Sequence, residues 1–271
     1  MTDASRLAEL VETWRQAIAE FVALARSIPE DEWRRPTDLA GWDVKDNVAH
    51  TAHLEAVLAG AQEETGPVEE VAHVRDLSGL YTEQGVLARR DRDMATLADE
   101  IEQSAATRHA TLVADPPVDG TAPPPKTPGD VGWTTERLLS NRPLDVWMHE
   151  QDIRRAIGRP GGFDSPAARH TIDSFGNALP MVVGKRVAPP AGTTVQVDVP
   201  DAGRSWTVVI GDDGRAAFAD PVDAPTTRIE LDAADFIVLA GGRRPLDETD
   251  AAVEGDEDLG RAVLVNLAVT P

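Results

Sequence analysis

The sequence predicts a helical N-terminal bundle followed by a small α+β domain with a mainly antiparallel sheet. Three features carry that expectation. Apolar residues recur with a helical period through most of the first 160 positions, the pattern changes after Gly161-Gly162, and runs of period-two alternation appear only beyond that point. A four-helix bundle is therefore expected over residues 1–160 and a small α+β domain over residues 164–271.

The first helix is expected over residues 3–27, where Leu7, Leu10, Val11, Trp14, Ile18, Phe21, Val22 and Ala25 form one stripe and Pro29 ends it. A charged connection with the Pro36–Trp42 turn leads to Asp43. This residue is a good N-cap, and Asp46 at N3 suits the positive end of the helix dipole. The second helix buries Val44, Val48 and Ala52, carries His50 and His53 near the edge of that face, and stops around Gly60. Residues 61–74 read as an acidic loop. Helical pattern resumes over residues 76–114, with the Arg89–Asp93 charge cluster marking either a break or a solvated turn. Pro116, Pro117 and Pro123 to Pro125 make residues 115–131 a surface loop. The last helix of this half covers residues 133–157, and Pro143 within it predicts a kink or a fresh start. Four such segments suggest an antiparallel bundle.

In the second half a helix is expected from Ser165 to about Val183. Residues 193–199 and 205–210 read as strands, and Gly211-Asp212-Asp213-Gly214 as a hairpin turn into residues 215–219. Another strand follows at residues 227–231, then helices over 233–240 and 257–268.

A formal charge of −21 would repel phosphate backbones and anionic membrane surfaces, which argues against nucleic acid and membrane partners and favours a monomer. There is no cysteine, so disulfides, Cys-ligated zinc and a thiol nucleophile of the protein's own are excluded. The N-terminus carries no signal-peptide core and no run approaches bilayer length, so a cytoplasmic protein is expected.

The chemistry-bearing residues fall in two stretches. If residues 142–153 are helical, Asp145, His149 and Asp152 stand at i, i+4 and i+7 on one face. His50 and His53 share a face at i, i+3. Spacing alone fits a solvated helix face equally well. The neighbourhood favours a metal: Leu144, Val146, Trp147, Met148 and Ile153 make this helix apolar around much of its circumference, and ionisable groups pressed into it need partners or a cation.

The block Gly41-Trp42-Asp43-Val44-Lys45-Asp46-Asn47-Val48-Ala49-His50 resembles the first signature of the mycothiol-dependent maleylpyruvate isomerase family. Arg142, Asp145, Trp147, His149, Asp152 and Ile153 resemble its second. That family belongs to the DinB-like four-helix-bundle superfamily, and its members often append a sterol-carrier-like α+β domain. The resemblance implies metal ligands at His50, Asp145 and His149, with His53, Asp152 and Arg142 lining the site or supporting it from behind. Its founding isomerase has glutamate where this chain has Asp145, which is one methylene shorter. Also implied are a divalent metal, by preference Zn²⁺, mycothiol as co-substrate, and a small electrophilic substrate. An S-transferase and a non-catalytic metal- or ligand-binding bundle share the same motifs. Arg228, Arg243 and Arg244 are candidate cations for an acidic substrate. Trp42 is expected to staple the helix entry, Trp147 to be structural or pocket-lining, and Glu150 to be solvated.

Overall fold

The computed structural model describes residues 2–68 and 72–270, so part of the expected acidic loop over residues 61–74 lies outside the described residues. The chain divides into two compact units, residues 1–168 and 169–271.

In the first unit, α1 (Asp3–Arg26), α2 (Val44–Leu58), α4 (Met94–Ala114) and α5 (Thr135–Ala156) form the bundle, and α3 (Leu77–Leu87) packs on α2. The charge cluster at residues 89–93 is thus a true break, with Asp93 capping α4 by accepting from Thr96 N at 2.7 Å. α5 runs as one helix through Pro143, so that residue does not begin a new one.

Helix directions follow from the pairs that join them. Arg6 meets Glu136 near the starts of α1 and α5, and Arg159 meets Ser27 at 3.3 Å beyond their ends, so these helices run parallel. Glu55 meets Arg142 at 2.7 Å and Asn47 meets His149 at 2.8 Å, so α2 and α5 are antiparallel. Arg26 reaches Asp99 at 2.6 Å while Trp14 lies under Arg108, so α1 and α4 are antiparallel. Lys45 donates to Arg92 O just before α4, and Glu55 meets Arg108 further along, so α2 and α4 run parallel. The bundle is therefore up-down-down-up rather than antiparallel throughout. Each of α1 and α2 packs on both α4 and α5. Successive helices thus sit on diagonals or in parallel, which is why the connections between them are long.

α2 is packed by α3, α4 and α5 and is buried all round, from Val44 to Val57. Its polar residues must therefore find partners inside the protein. Lys45 Nζ does so by donating to Arg90 O at 2.6 Å and Arg92 O at 3.0 Å.

The second unit is built on a five-stranded sheet of order β3-β2-β1-β4-β5. The strands are β1 (Thr194–Val199), β2 (Arg204–Ile210), β3 (Ala216–Ala219), β4 (Thr227–Glu230) and β5 (Ala252–Gly255). All pairs are antiparallel except β1 with β4. Val195, Val197, Val199, Val208, Ile210 and Ile229 are buried, with Phe175, Leu179, Phe236 and Leu264 also in the core. The long helix expected from Ser165 is instead α6 (Pro166–Gly176), a short α7 (Leu179–Met181) and a π-helical turn over Val182–Val187. Pro180 removes a backbone donor at the restart. The remaining helices are α8 (Ala233–Ala240) and α9 (Glu257–Val265).

Gly176 sits against the Trp206 indole, which itself stacks on Phe236 at 5.6 Å, and a Cβ at residue 176 would lie 2.2 Å from Trp206 Cε2. Gly176→Ala is expected to overpack this core and destabilise the second unit by about 1–3 kcal/mol, read from a lowered urea midpoint. Among the described residues, no helix is long and apolar enough to cross a membrane.

Candidate metal centre

The first stretch is positioned by its cap. Asp43 accepts from Asp46 N at 2.8 Å, and the Asp46 carboxylate in return accepts from Asp43 N at 3.3 Å, which closes a capping box. Gly41, at φ +85°, supplies the left-handed turn before it. The second stretch starts from Thr134, whose hydroxyl accepts from Arg137 N at 3.3 Å. α2 and α5 then pass one another with His50 facing Asp145 and His149.

Donor atoms of these three residues all lie within 4.8 Å of one another. His50 Nε2 is 3.8 Å from Asp145 Oδ2, and His149 Nε2 is 3.8 Å from Asp145 Oδ1. Both edges are too long for hydrogen bonds. The imidazole rings meet edge to face at 4.7 Å. His149 Nδ1 stands 2.8 Å from Asn47 Oδ1, so Nδ1 carries the proton and Nε2 keeps a lone pair directed at the cluster.

Burial pushes the His50 imidazole down to about 4 against the pull of Asp145, with His149 and Arg142 adding to the depression. It is therefore neutral at neutral pH. Burial opposes ionisation of Asp145, but the Arg142 guanidinium and the two imidazoles outweigh it and hold the carboxyl well below the usual range. The cluster offers the neutral His50 imidazole, the Nε2 of His149 and one carboxylate, a donor set that a cation can take.

Arg142 donates from Nη1 to Asp145 Oδ2 at 2.9 Å, and from Nε and Nη2 to Glu55 Oε1 at 3.1 and 2.7 Å. Glu55 also accepts from Trp14 Nε1 at 3.1 Å, and its other oxygen is 3.6 Å from Arg108 Nη1. Asp152 Oδ2 is 3.5 Å from His149 Nδ1, and its other oxygen accepts from Arg155, which also binds Asp38 at 2.6 Å. Asn47 is thus the nearer partner of the His149 ring.

Trp42 departs from the role expected of it. Its ring lies 4.9 Å from His50 and 6.0 Å from His149, and its Nε1 donates to Glu83 Oε2 at 2.8 Å, so it covers the histidine pair rather than only fixing the helix entry. Glu150 is buried rather than solvated, because its side of α5 lies under Arg154, which donates to it at 2.6 Å. Trp147 is buried, donates to Gly162 O at 3.1 Å and meets Phe163 edge to face. Arg228 lies in the second unit beside Gln196 and Asp198, and Arg243 donates to Gly241 O. Arg244 borders a cleft of about 360 Å³ between Leu239 and Ala268 in that same unit.

His53 stays outside the cluster. Its ring is pressed on Gly85, stacks obliquely on Tyr81 at 5.1 Å and faces Arg89 Nη1 at 3.5 Å. Burial and Arg89 push the imidazole down to about 3. An unfolded chain titrates near pH 6.5, so it binds more protons than the folded one throughout the interval down to about 3, and stability rises with pH across it. The gain is about 1.4 kcal/mol per unit separating the two values. Urea denaturation over this interval is expected to show the rise. His53→Gln should flatten it in part, leaving the contribution of His50.

A helical bundle with an imidazole–carboxylate cluster between two facing helices, joined to a small α+β domain, is the class that this fold and site define. Residues 14–154 match the family model for the mycothiol maleylpyruvate isomerase N-terminal domain, and residues 168–262 match that for the MDMPI C-terminal domain. The chain belongs to the mycothiol maleylpyruvate isomerase family. Among solved structures, it is similar in fold to the mycothiol-dependent maleylpyruvate isomerase and to a histidine-to-alanine mutant of that protein. Each is 15% identical, with 93% of this chain and 95% of that chain covered at a TM-score of 0.57. No curated protein sequence matches.

Proposed function

We propose that this protein is a metal-dependent enzyme that uses mycothiol as co-substrate on a small electrophile, in the manner of maleylpyruvate isomerase. His50, Asp145 and His149 are the proposed ligands. The observation that carries this reading is the meeting of those three donors, with the His149 tautomer set by Asn47, in a chain of this family.

The donor set suits zinc. Imidazole nitrogens and a carboxylate oxygen are its ordinary ligands, and tetrahedral bonds of about 2.0–2.1 Å put neighbouring ligand atoms roughly 3.3 Å apart. The 3.8 Å edges here run to different oxygens of Asp145, and the three donors lie within 4.8 Å of one another, so they would have to draw in around one oxygen to reach that spacing. Held by His50, Asp145 and His149, such an ion would supply Lewis-acid stabilisation of a thiolate.

The protein's own residues do the rest. Asn47 holds the proton on His149 Nδ1, and Arg142 keeps Asp145 ionised. Trp42 shields the imidazoles from water on one side. The chain has no cysteine, so the sulfur nucleophile must be brought by the co-substrate. Addition of a thiolate to an activated cis double bond, rotation about the resulting single bond, and expulsion of the thiolate give the trans isomer with all atoms conserved. The same thiolate attacking a carbon that bears a leaving group would make the protein an S-transferase.

Two measurements test the reading. After reconstitution with zinc, wild type should hold a stoichiometric amount and His50→Ala only traces. Traces in both would end the metal-centre proposal. Turnover of maleylpyruvate with mycothiol is then compared with conjugation of other electrophiles. Conjugation without isomerisation would replace the isomerase by the transferase.

A further inference from the structure

The Arg142 side chain is 1% exposed and Glu55 is fully buried, and Glu55 is linked to the cluster of donors through Arg142. Arg142 spends one nitrogen on Asp145 Oδ2 at 2.9 Å, the oxygen that also faces His50, and two on Glu55 Oε1. Asp145 Oδ1, which faces His149, is left for a cation. We infer that Arg142 is a positioning residue that fixes Asp145 as a one-oxygen ligand, and that Glu55 neutralises Arg142 so that this clamp does not repel the metal.

This rests on the metal reading above. An aspartate reaches less far than a glutamate, so its carboxylate must be aimed rather than left to rotate, and a planar guanidinium aims it well. An uncompensated buried cation beside the ligand would oppose a divalent ion. Glu55 removes that opposition from the far side. Arg108 shares Glu55 without touching Asp145, which makes it the natural control.

The test uses the full chain, with zinc affinity read by competition with a chromophoric chelator and geometry read from the visible spectrum of the cobalt-substituted protein. Tetrahedral cobalt absorbs strongly, and higher coordination weakens the bands. Arg142→Lys loses the fork and frees Oδ2, so the cobalt bands should weaken and zinc affinity should fall by about 10–100-fold. Glu55→Gln keeps the shape and an acceptor but removes the charge. Its cobalt spectrum should match wild type while zinc affinity falls by about tenfold. Arg108→Lys should change neither. Should the lysine variant fail to fold by circular dichroism, Arg142→Gln takes its place, and Glu55→Gln tests the charge role independently. Wild-type spectrum and affinity in the Arg142 variant would overturn the inference while leaving the metal reading intact. Failure of wild type to take up zinc or cobalt would overturn both.

Discussion

His149→Ala is expected to give a folded protein that no longer retains zinc and has no thiol-dependent turnover above background. The remaining donors, His50 and Asp145, come from different helices and stand 3.8 Å apart, too few to hold a tetrahedral ion. The loss of affinity should exceed the roughly 10–100-fold that removal of an outer partner costs. Asn47→Ala supplies that lower mark, since it removes the acceptor at 2.8 Å that keeps the Nε2 lone pair available, together with the amide's donation to Asp43 O at 2.9 Å and Thr37 Oγ1 at 3.3 Å, while leaving all three donors in place. The fold should survive. Asn47 is left without its ring partner, a cost of about 1–3 kcal/mol, while Asp145 keeps Arg142 and Asp152 keeps Arg155. Metal analysis after dialysis, with a urea curve alongside, separates the two effects. Zinc retained at wild-type affinity in His149→Ala would remove this residue from the proposed ligand set.

What could be seen in the sequence is mostly local. The stripe of α1 and the Asp43 cap of α2 are each set by residues a turn apart, and the structure has them where the pattern puts them. β5 was missed because it is a four-residue edge strand with one half-buried apolar side chain, Val253, and so shows no alternation. The residues behind the cluster were missed for a different reason. A single buried stripe was expected on α2, whereas α3, α4 and α5 all pack on it, so its polar side chains are internal too. Glu55 and Asn47 then look like ordinary surface residues in the sequence, and only the packing reveals their partners. Arg108 belongs to the same group, because its partner is 53 positions away and its ring contact, Trp14, lies on another helix. Glu150 was misjudged on the same ground: helix periodicity says which way a side chain points, not what covers it. Pro143 shows the converse, since a strong local signal for a break was overridden within the packed bundle.

The largest effect on stability is expected from Glu55→Ala. Glu55 is 0% exposed and is the one carboxylate shared by Trp14, Arg142 and Arg108. Its removal leaves two buried guanidinium groups with less than they need. Neither can escape by losing its proton near neutral pH. Burial lowers Arg108 to about 10 with Glu55 opposing the shift, and arginine stays charged in proteins. Arg142 would still have Asp145, and Arg108 would still lie 4.6 Å over the Trp14 ring, so the loss is not total. Breaking a buried ion pair from one side costs about 3–5 kcal/mol, a large part of the roughly 5–15 kcal/mol that holds a domain together. The urea midpoint of the first unit should drop accordingly, and a loss below about 1 kcal/mol, the value of an exposed pair, would contradict the assignment. Pairing the change with Arg108→Met should restore part of the loss, because it removes one of the stranded charges and returns apolar volume beside Trp14. If the double variant is no more stable than Glu55→Ala alone, stranded charge is not the cause and the cavity left by the side chain is.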